Sequence, residues 1–160
     1  MIKHILVPVD GSRHAQKALE LAIDLATKYG AELTLVHALL RGQVPDEIRK
    51  LSDRPGALEP AMVVGAAYVD FTLPRPVLED IAEKLLQGGA RLASERGVET
   101  VHTHWGPGEP ARVILEWARE HEADTIVMGS RGLGDFRGMI VGSVSHKVQH
   151  LFEGTVVSVK

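Results

Sequence analysis

Gly129-Ser130-Arg131-Gly132 follows the apolar run Thr125-Ile126-Val127-Met128 without a break, and Gly142-Ser143 comes after nine further residues. Beyond that point, apolar side chains recur at helical spacing, at Val144, Val148 and Leu151. The predicted order is therefore strand, glycine-containing loop and helix. Because this order directs backbone N–H groups and a helix N-terminus toward one point, the stretch predicts a phosphate-binding site, and a nucleotide is the obvious ligand.

The residue types in this loop suit close contact between a ligand and the main chain. Glycine at 129, 132 and 142 permits positive φ angles and leaves no β-carbon between the backbone and a bulky ligand. Ser143 can cap the helix and present its hydroxyl to a phosphate. The first N–H groups of the helix, at 143–145, have no partner inside it. The alternative is that these glycines only form a flexible connection between strand and helix.

Strands and helices alternate along the rest of the chain. Buried strands are predicted at 5–9, 33–40, 98–105, 124–128 and 155–159. Helices are predicted from the N-cap Ser12 to Gly30, from Pro76 to Gly97, after Pro110, and from Ser143 to about Leu151. Residues 41–75 form an irregular excursion with a short helix near 47–51. Gly88-Gly89 interrupts the second long helix, and only a close packing contact would explain the pair.

This alternation predicts an α/β fold in one domain covering 1–160, with a parallel sheet built by right-handed crossovers. In open sheets of this kind, ligands bind beyond the carboxyl ends of the strands, where the strand order reverses. The two loops best suited to flank that crevice are Asp10-Gly11-Ser12 and 129–145.

The composition excludes several classes of function. With 24% charged residues and a net charge of −3, the chain is an ordinary globular protein and not a general nucleic-acid binder. The absence of cysteine excludes disulfides and thiolate chemistry. No apolar run reaches the roughly 20 residues that cross a bilayer, and strand-like sequence starts at Ile5 with no signal peptide ahead of it. We therefore expect a cytoplasmic protein with neither membrane nor nucleic-acid partners.

The pattern Gly129-x2-Gly132-x9-Gly142-Ser143 resembles the ATP-binding signature of the universal stress protein family. Further segments resemble the family's strands, namely 5–12, 35–38, 124–132 and 156–159. The likeness covers nearly the whole chain except 41–75. It implies a Rossmann-like, adenine nucleotide alpha hydrolase-like fold: an open five-stranded parallel sheet with helices on both faces and the strand order 3-2-1-4-5.

The resemblance also implies a binding site for ATP, with ADP or AMP as alternatives. Asp10 would face adenine or ribose, and Ala38 would contact the base. The implied neighbours of the adenosine and of the path to the phosphates are Pro8, Val9, Met128 and Gly129. The triphosphate would be held by Gly132, Gly142, Ser143, Val144 and Ser145. Arg131 lies in the same loop, at a distance from phosphate that spacing does not determine. The phosphates would carry a Mg or Mn ion without protein side-chain ligands.

A homodimer is a further implication, because in this family the last strand commonly pairs across a two-fold axis. Here the strand consists of Thr155, Val156, Val157, Ser158 and Val159, and it is short, apolar and terminal. The alternative is an edge blunted by Lys160. Gly154-Thr155 departs from the family, which often has proline before this strand, and that departure could alter how the strand is entered.

Other candidate sites are weaker. His102 and His104 point to one face of a strand, as metal ligands could, but no third ligand is apparent in the nearby sequence. His146 and His150 are one helical turn apart, yet the glutamate of the zinc proteases is missing. Trp105 and Trp117 are predicted to pack in the core or a dimer interface. No P-loop, dinucleotide fingerprint or nucleophile elbow occurs.

Three functions therefore stay open. The first is a nucleotide-dependent regulatory homodimer in the stress response, since the phosphate loop has no evident catalytic base beside it. The second is a slow ATPase or phosphotransferase, in which Asp10 or a loop arginine assists phosphoryl transfer. The third is a nucleotide-free interaction scaffold that uses the last strand and residues 41–75.

Overall fold

The computed structural model describes residues 2–39, 75–132 and 142–160. Within them, five strands alternate with four helices. In chain order they are β1 (His4–Pro8), α1 (Arg13–Tyr29), β2 (Glu32–Leu39), α2 (Arg75–Glu95), β3 (Val101–Pro107), α3 (Pro110–Glu120), β4 (Thr125–Gly129), α4 (Ser143–Leu151) and β5 (Thr155–Val159). The short helix predicted near 47–51 and most of the predicted excursion at 41–75 lie outside the described residues.

The five strands form one parallel sheet in the order β3-β2-β1-β4-β5, which confirms the predicted fold class. In the register, Ile5 lies between Leu33 of β2 and Thr125 of β4. From β1 the chain proceeds to β2 and β3 on one side, and β4 and β5 lie on the other. The strand order therefore reverses between β1 and β4, which is where such sheets bind ligands.

Helices cover both faces of the sheet, and each face has its own apolar core. Successive residues of β1 serve the two sides: Ile5 and Val7 pack with α1 and α2, whereas Leu6 packs with α3 and α4. All three side chains are fully buried. A strand buried on both faces needs a continuous apolar run, and this explains why β1 shows no alternation of polar and apolar residues.

Local signals set most element ends where the sequence predicts them. The Ser12 hydroxyl accepts a hydrogen bond from the Ala15 N–H at 3.1 Å and starts α1. Gly30 ends α1 in the left-handed conformation, with φ at +64°. Pro110 occupies the first turn of α3, where its missing N–H costs nothing.

Two details of the predicted elements are wrong. The third strand begins at Val101 and not at Val98, because the Val98 N–H bonds back to the Ala93 carbonyl and finishes the turn after α2. Leu151 was expected on the apolar stripe of the last helix, but its side chain is 60% exposed, while Val148 is buried. Leu151 is the last residue of α4, and Phe152 after it packs against the core that contains Val148.

Gly154 stands where the family often has proline, and the packing explains the glycine. A β-carbon at 154 would lie 2.6 Å from the Asp124 carbonyl oxygen and 2.5 Å from Cε1 of Phe152. The same carbonyl accepts the Thr155 N–H that starts β5. The departure from the family pattern therefore leaves β5 in place, and it brings the backbone very close to β4.

None of the helices in the described ranges has the length and apolar character required to cross a bilayer.

The two adjacent glycines of α2 have different surroundings. A β-carbon on Gly89 would lie 2.8 Å from Cδ1 of Leu35 and 3.2 Å from Cδ2 of Leu19, both of which belong to the core. A β-carbon on Gly88 would have no neighbour within 4 Å. The close packing contact that the pair suggested therefore exists at Gly89 alone.

These surroundings predict opposite effects for one substitution at neighbouring positions. Gly88→Ala should raise the free energy of unfolding by about 0.5–1 kcal/mol, because alanine is the better helix former. Gly89→Ala gains the same propensity but crowds two core leucines, which costs about 1–3 kcal/mol. Urea denaturation of both variants measures the difference. Equal stability of the two variants would contradict the packing described for Gly89.

Candidate functional site

A cavity of about 360 Å³ opens beyond the carboxyl ends of β1, β2 and β4, at the reversal of strand order. Its size is within the range of small-molecule sites. The walls come from three loops and the first turns of three helices. The lining residues are Pro8, Val9, Asp10, Ala15, Val36, His37, Ala38, Glu109, Pro110, Ile114, Met128, Gly129, Arg131, Gly132, Ser143, Val144 and Ser145.

Asp10 joins the loop after β1 to the loop after β4. Its Oδ1 accepts a hydrogen bond from the Ser12 N–H at 2.9 Å, which forms a tight turn before α1. A β-carbon on Gly132 would lie 2.8 Å from Asp10 Oδ2. Glycine at 132 therefore lets the carboxylate and the second loop lie side by side at the edge of the cavity.

Gly129 packs against the first turn of α1. A β-carbon there would lie 2.8 Å from Cβ of His14, 2.9 Å from its carbonyl carbon and 3.0 Å from the Ala15 nitrogen. Two of these three atoms are backbone and cannot rotate away. This close approach fixes the distance between β4 and α1, and with it the width of the cavity at Ala15.

The first turn of α4 presents its N–H groups to the cavity. Its N-cap is Gly142 and not Ser143, so the expectation that Ser143 caps the helix is wrong. Glycine offers no side-chain oxygen, whereas Ser12 supplies one to α1. The first N–H groups of a helix have no partner within it. The backbone of 143–145 can therefore donate to an anion, with the helix dipole adding to the attraction.

Ser145 has a structural role in addition to lining the wall. Its hydroxyl is buried and lies 3.0 Å from two carbonyl oxygens, those of Ser130 and Gly142. The Gly142 N–H donates to the same Ser130 carbonyl at 2.8 Å, and the Ser130 N–H donates to the Val159 carbonyl at 2.7 Å. These bonds tie the start of α4 to the end of β4 and the end of β5.

The opposite wall is apolar and contains one buried imidazole. His37 Nδ1 donates to the Val9 carbonyl at 2.7 Å, which requires the proton on that nitrogen. Burial lowers the pKa of His37, although the hydrogen bond to Val9 and the charge of Asp10 act in the other direction. The ring is therefore neutral at pH 7. Val36 and Ile114, also on this wall, are nearly fully buried.

Glu109 stands at the rim, between α3 and α4. It is the N-cap of α3, accepting the Arg112 N–H at 2.9 Å, and it pairs with Lys147 Nζ at 3.3 Å. Partial burial would raise the pKa of Glu109, but the hydrogen bonds from Arg112 and Lys147 lower it below its ordinary value. The carboxylate is therefore charged and already engaged at neutral pH.

The structure brings the sequence-predicted residues together. Eleven of the twelve line this one cavity, and the remaining one, Gly142, is the N-cap just behind Ser143. Sequence reasoning missed the residues that α1, α3 and the middle of β2 contribute: Ala15, Val36, His37, Glu109, Pro110 and Ile114. For Glu109, Pro110 and Ile114 the available signal was Gly106-Pro107-Gly108, since these residues mark the carboxyl end of β3.

Chemically, the cavity combines two environments. Apolar side chains and the neutral His37 ring suit a flat, uncharged group, whereas the backbone N–H groups of α4 and the Arg131 side chain suit an anion. In the part of the chain that the structure describes, no group of three or more His, Cys, Asp or Glu side chains is arranged to hold a metal. His146 and His150 are exposed on α4.

The sequence model of the Universal stress protein family matches residues 1–160 of this chain. Among characterised proteins, universal stress protein YxiE of Bacillus subtilis is 32% identical over 163 residues, which covers the whole of both chains.

Solved structures of universal stress proteins share the fold of this chain. A universal stress protein in complex with cAMP matches with a TM-score of 0.68 and 21% identity, over 99% of this chain and 97% of its own. A universal stress protein from Archaeoglobus fulgidus in complex with dAMP matches with a TM-score of 0.65 and 20% identity, over 100% and 98%. With a family match along its full length, this chain belongs to the universal stress protein family.

Proposed function

We propose that the cavity binds an adenine nucleotide, with ATP as the principal ligand and ADP or AMP as alternatives. The observation that carries the proposal is one cavity with an apolar wall at one end and the N–H groups at the start of α4 at the other. The base of a nucleotide suits the apolar wall, and its phosphates suit the N–H groups of a helix N-terminus.

We assign the residues of the cavity to the base, the sugar and the phosphates of the nucleotide. The base lies against Ala38 and the apolar wall, and Asp10 faces the adenine or the ribose. Pro8, Val9, Met128 and Gly129 border the adenosine and the path to the phosphates. The phosphates lie on the backbone of Gly132, Gly142, Ser143, Val144 and Ser145, with Arg131 nearby. A Mg or Mn ion is carried by the phosphates.

Two structural neighbours support the ligand class. The proteins in complex with cAMP and with dAMP share the fold of this chain along nearly its whole length. Both ligands are adenine nucleotides with a single phosphate. An ATP ligand extends the same arrangement toward the start of α4, where the N-cap offers no side chain that would compete with phosphate.

The contacts of the polar residues in the cavity wall favour nucleotide-dependent regulation over catalysis. His37 donates to the Val9 carbonyl and has a lowered pKa, Glu109 is held by Arg112 and Lys147, and Asp10 is bonded to the Ser12 N–H. These hydrogen bonds give each of the three side chains a structural role in the wall. We therefore propose a cytoplasmic regulatory protein of the stress response, in which the bound nucleotide shifts a population of states.

The regulatory unit is proposed to be a homodimer that pairs through β5. This strand is at the end of the sheet order, beside β4 alone among the described strands. Val156, Val157 and Val159 stay partly exposed, and Leu151 is 60% exposed just ahead of the strand. An apolar edge of this kind favours a partner strand. The dimer residues are Thr155, Val156, Val157, Ser158 and Val159.

Nucleotide binding is tested by titration calorimetry with ATP and magnesium, and with AMP and cAMP for comparison. Gly132→Ala should weaken ATP binding by about tenfold or more, since a β-carbon there collides with Asp10 and costs on the order of 1–3 kcal/mol. Gly88→Ala is the matched control, because it adds the same methyl group far from the cavity and should leave the affinity unchanged.

The absence of any heat of binding at millimolar nucleotide would overturn the proposal.

Measuring phosphate release by the pure protein decides between regulation and a slow ATPase. Turnover that disappears in Gly132→Ala would favour the enzyme, and turnover that survives it points to a contaminant.

The dimer prediction concerns Val157. Val157→Lys should convert the dimer to a monomer, because a charge in the middle of the paired edge must be desolvated. Sedimentation velocity measures the mass, and circular dichroism checks that the variant is folded. Thr103→Lys places the same charge on the exposed opposite edge, in β3, and should leave the dimer intact. If Val157→Lys is unfolded, Leu151→Lys is the substitute. A dimer that survives both changes would contradict pairing through β5.

A further inference from the structure

Four imidazole rings and an indole gather at the end of the sheet opposite the cavity. His4 of β1, His102 and His104 of β3, and His121 just after α3 come from separate parts of the chain. His121 is central, with ring centroids 5.6 Å from His4, 5.4 Å from His102 and 4.6 Å from His104. The fifth ring, Trp117 of α3, stacks on His104 at 3.9 Å. We call this set the histidine cluster.

The polar contacts of the histidine cluster suit neutral rings better than several charged ones. His4 Nε2 bonds to the buried Thr34 hydroxyl at 2.6 Å, and His104 Nε2 is buried without a hydrogen-bond partner among the described residues. His102 forms the one ion pair of the cluster among the described residues, with its Nε2 3.5 Å from Glu32.

The charged groups around the cluster are few. Glu32 on β2 faces His4 and His102, and Glu120 at the end of α3 faces His104. Asp124 also faces His4, but its carboxylate accepts the Lys3 N–H, the His4 N–H and the Thr125 hydroxyl. Burial first, and then the neighbouring imidazoles, lower the pKa of both His4 and His104. The folded structure therefore disfavours the protonated forms of His4 and His104.

Helix α3 connects the cluster to the cavity. Its last turn carries Trp117, and His121 follows as its C-cap. Its first two turns carry Pro110 and Ile114, which line the cavity, with Glu109 as N-cap. An eleven-residue helix moves as one rigid rod about 16 Å long. A displacement of its far end is transmitted to the wall against which the base is proposed to lie.

We propose that the histidine cluster makes nucleotide binding sensitive to acid. Protonation of neighbouring rings drives β1, β3 and the end of α3 apart by charge repulsion, and α3 then withdraws its first turn from the cavity. This inference rests on the proposed function, because it describes the regulation of the same site. The neutral cluster is the binding form, so affinity falls as the pH falls.

The sign follows from linkage. His4 and His104 have folded pKa values below the ordinary value of 6.5. We call the form with the rings in contact the closed form. It therefore binds fewer protons than a form in which the rings are separated. Closure is complete above pH 6.5 and is lost as the pH falls from there toward the lowered values. By reciprocity, a nucleotide that favours the closed form must resist protonation of the cluster.

The test compares ATP–magnesium affinity at about pH 7.5 and pH 5.5, a range in which histidine titrates. For the unaltered protein we expect the affinity to fall by about fivefold or more. His121→Gln removes the central ring and should reduce the fall to less than about twofold. His150→Gln is the control, since His150 is exposed on α4 outside the cluster and should leave the fall unchanged. The titration of ATP itself is common to all variants and cancels.

Trp117 gives a second readout that needs no calorimetry. In a Trp105→Phe background its fluorescence reports the protonation of the stacked His104, and saturating ATP should move the midpoint to lower pH. If His121→Gln does not fold, His102→Gln replaces it. Binding at pH 7.5 with a pH dependence that survives in the cluster variants overturns this inference alone and assigns the effect to His37 in the cavity wall. No binding at pH 7.5 overturns the proposed function, and this regulation with it.

Discussion

Two contacts with no room for a β-carbon hold the cavity in its shape. Gly129 rests on the backbone of His14 and Ala15, and Gly132 rests on the carboxylate of Asp10. The first joins the end of β4 to the start of α1, and the second joins the loop after β4 to the loop after β1, where the strand order reverses. A side chain at 129 would push β4 away from the backbone of α1, whereas a side chain at 132 would displace the Asp10 carboxylate from the edge of the cavity. The shape of the cavity therefore depends on the absence of a β-carbon at Gly129 and Gly132.

The fold was predictable because each signal was local. The buried run of β1, the cap at Ser12 and the αL position at Gly30 act within a few residues of where they stand, and the structure confirms them. The loop after β4 was predictable as one wall of the cavity, but its glycines were expected to make room for a ligand and positive φ angles, whereas Gly129 packs against α1 and Gly132 lies beside Asp10. The cap at Ser143 was the exception, because sequence alone does not tell the last extended residue from the first helical one.

The rest depended on contacts between distant segments. The contribution of α3 to the cavity requires knowing which helix lies over the ends of β1 and β2, and no spacing in the sequence gives that. The same limit applies to the histidines. His102 and His104 were visible as a pair on one face of a strand, but His4 and His121 join them only through the pairing of β1, β2 and β3 and the placement of α3. Parallel topology brings together positions about 100 residues apart, as the hydrogen bond from the Lys3 backbone N–H to the Asp124 carboxylate also shows.

The bare start of α4 has a consequence for the protein in solution. Compared with a Ser or Asp cap, the glycine cap costs α4 only about a few tenths of a kcal/mol, but it provides no side-chain acceptor. The first N–H groups of this nine-residue helix therefore have no partner from the cap residue. Under the proposed function, a phosphate group would supply the missing acceptor and complete the first turn of the helix that binds it. Nucleotide binding would then stiffen this turn, and a partner could sense the stiffness without touching the nucleotide.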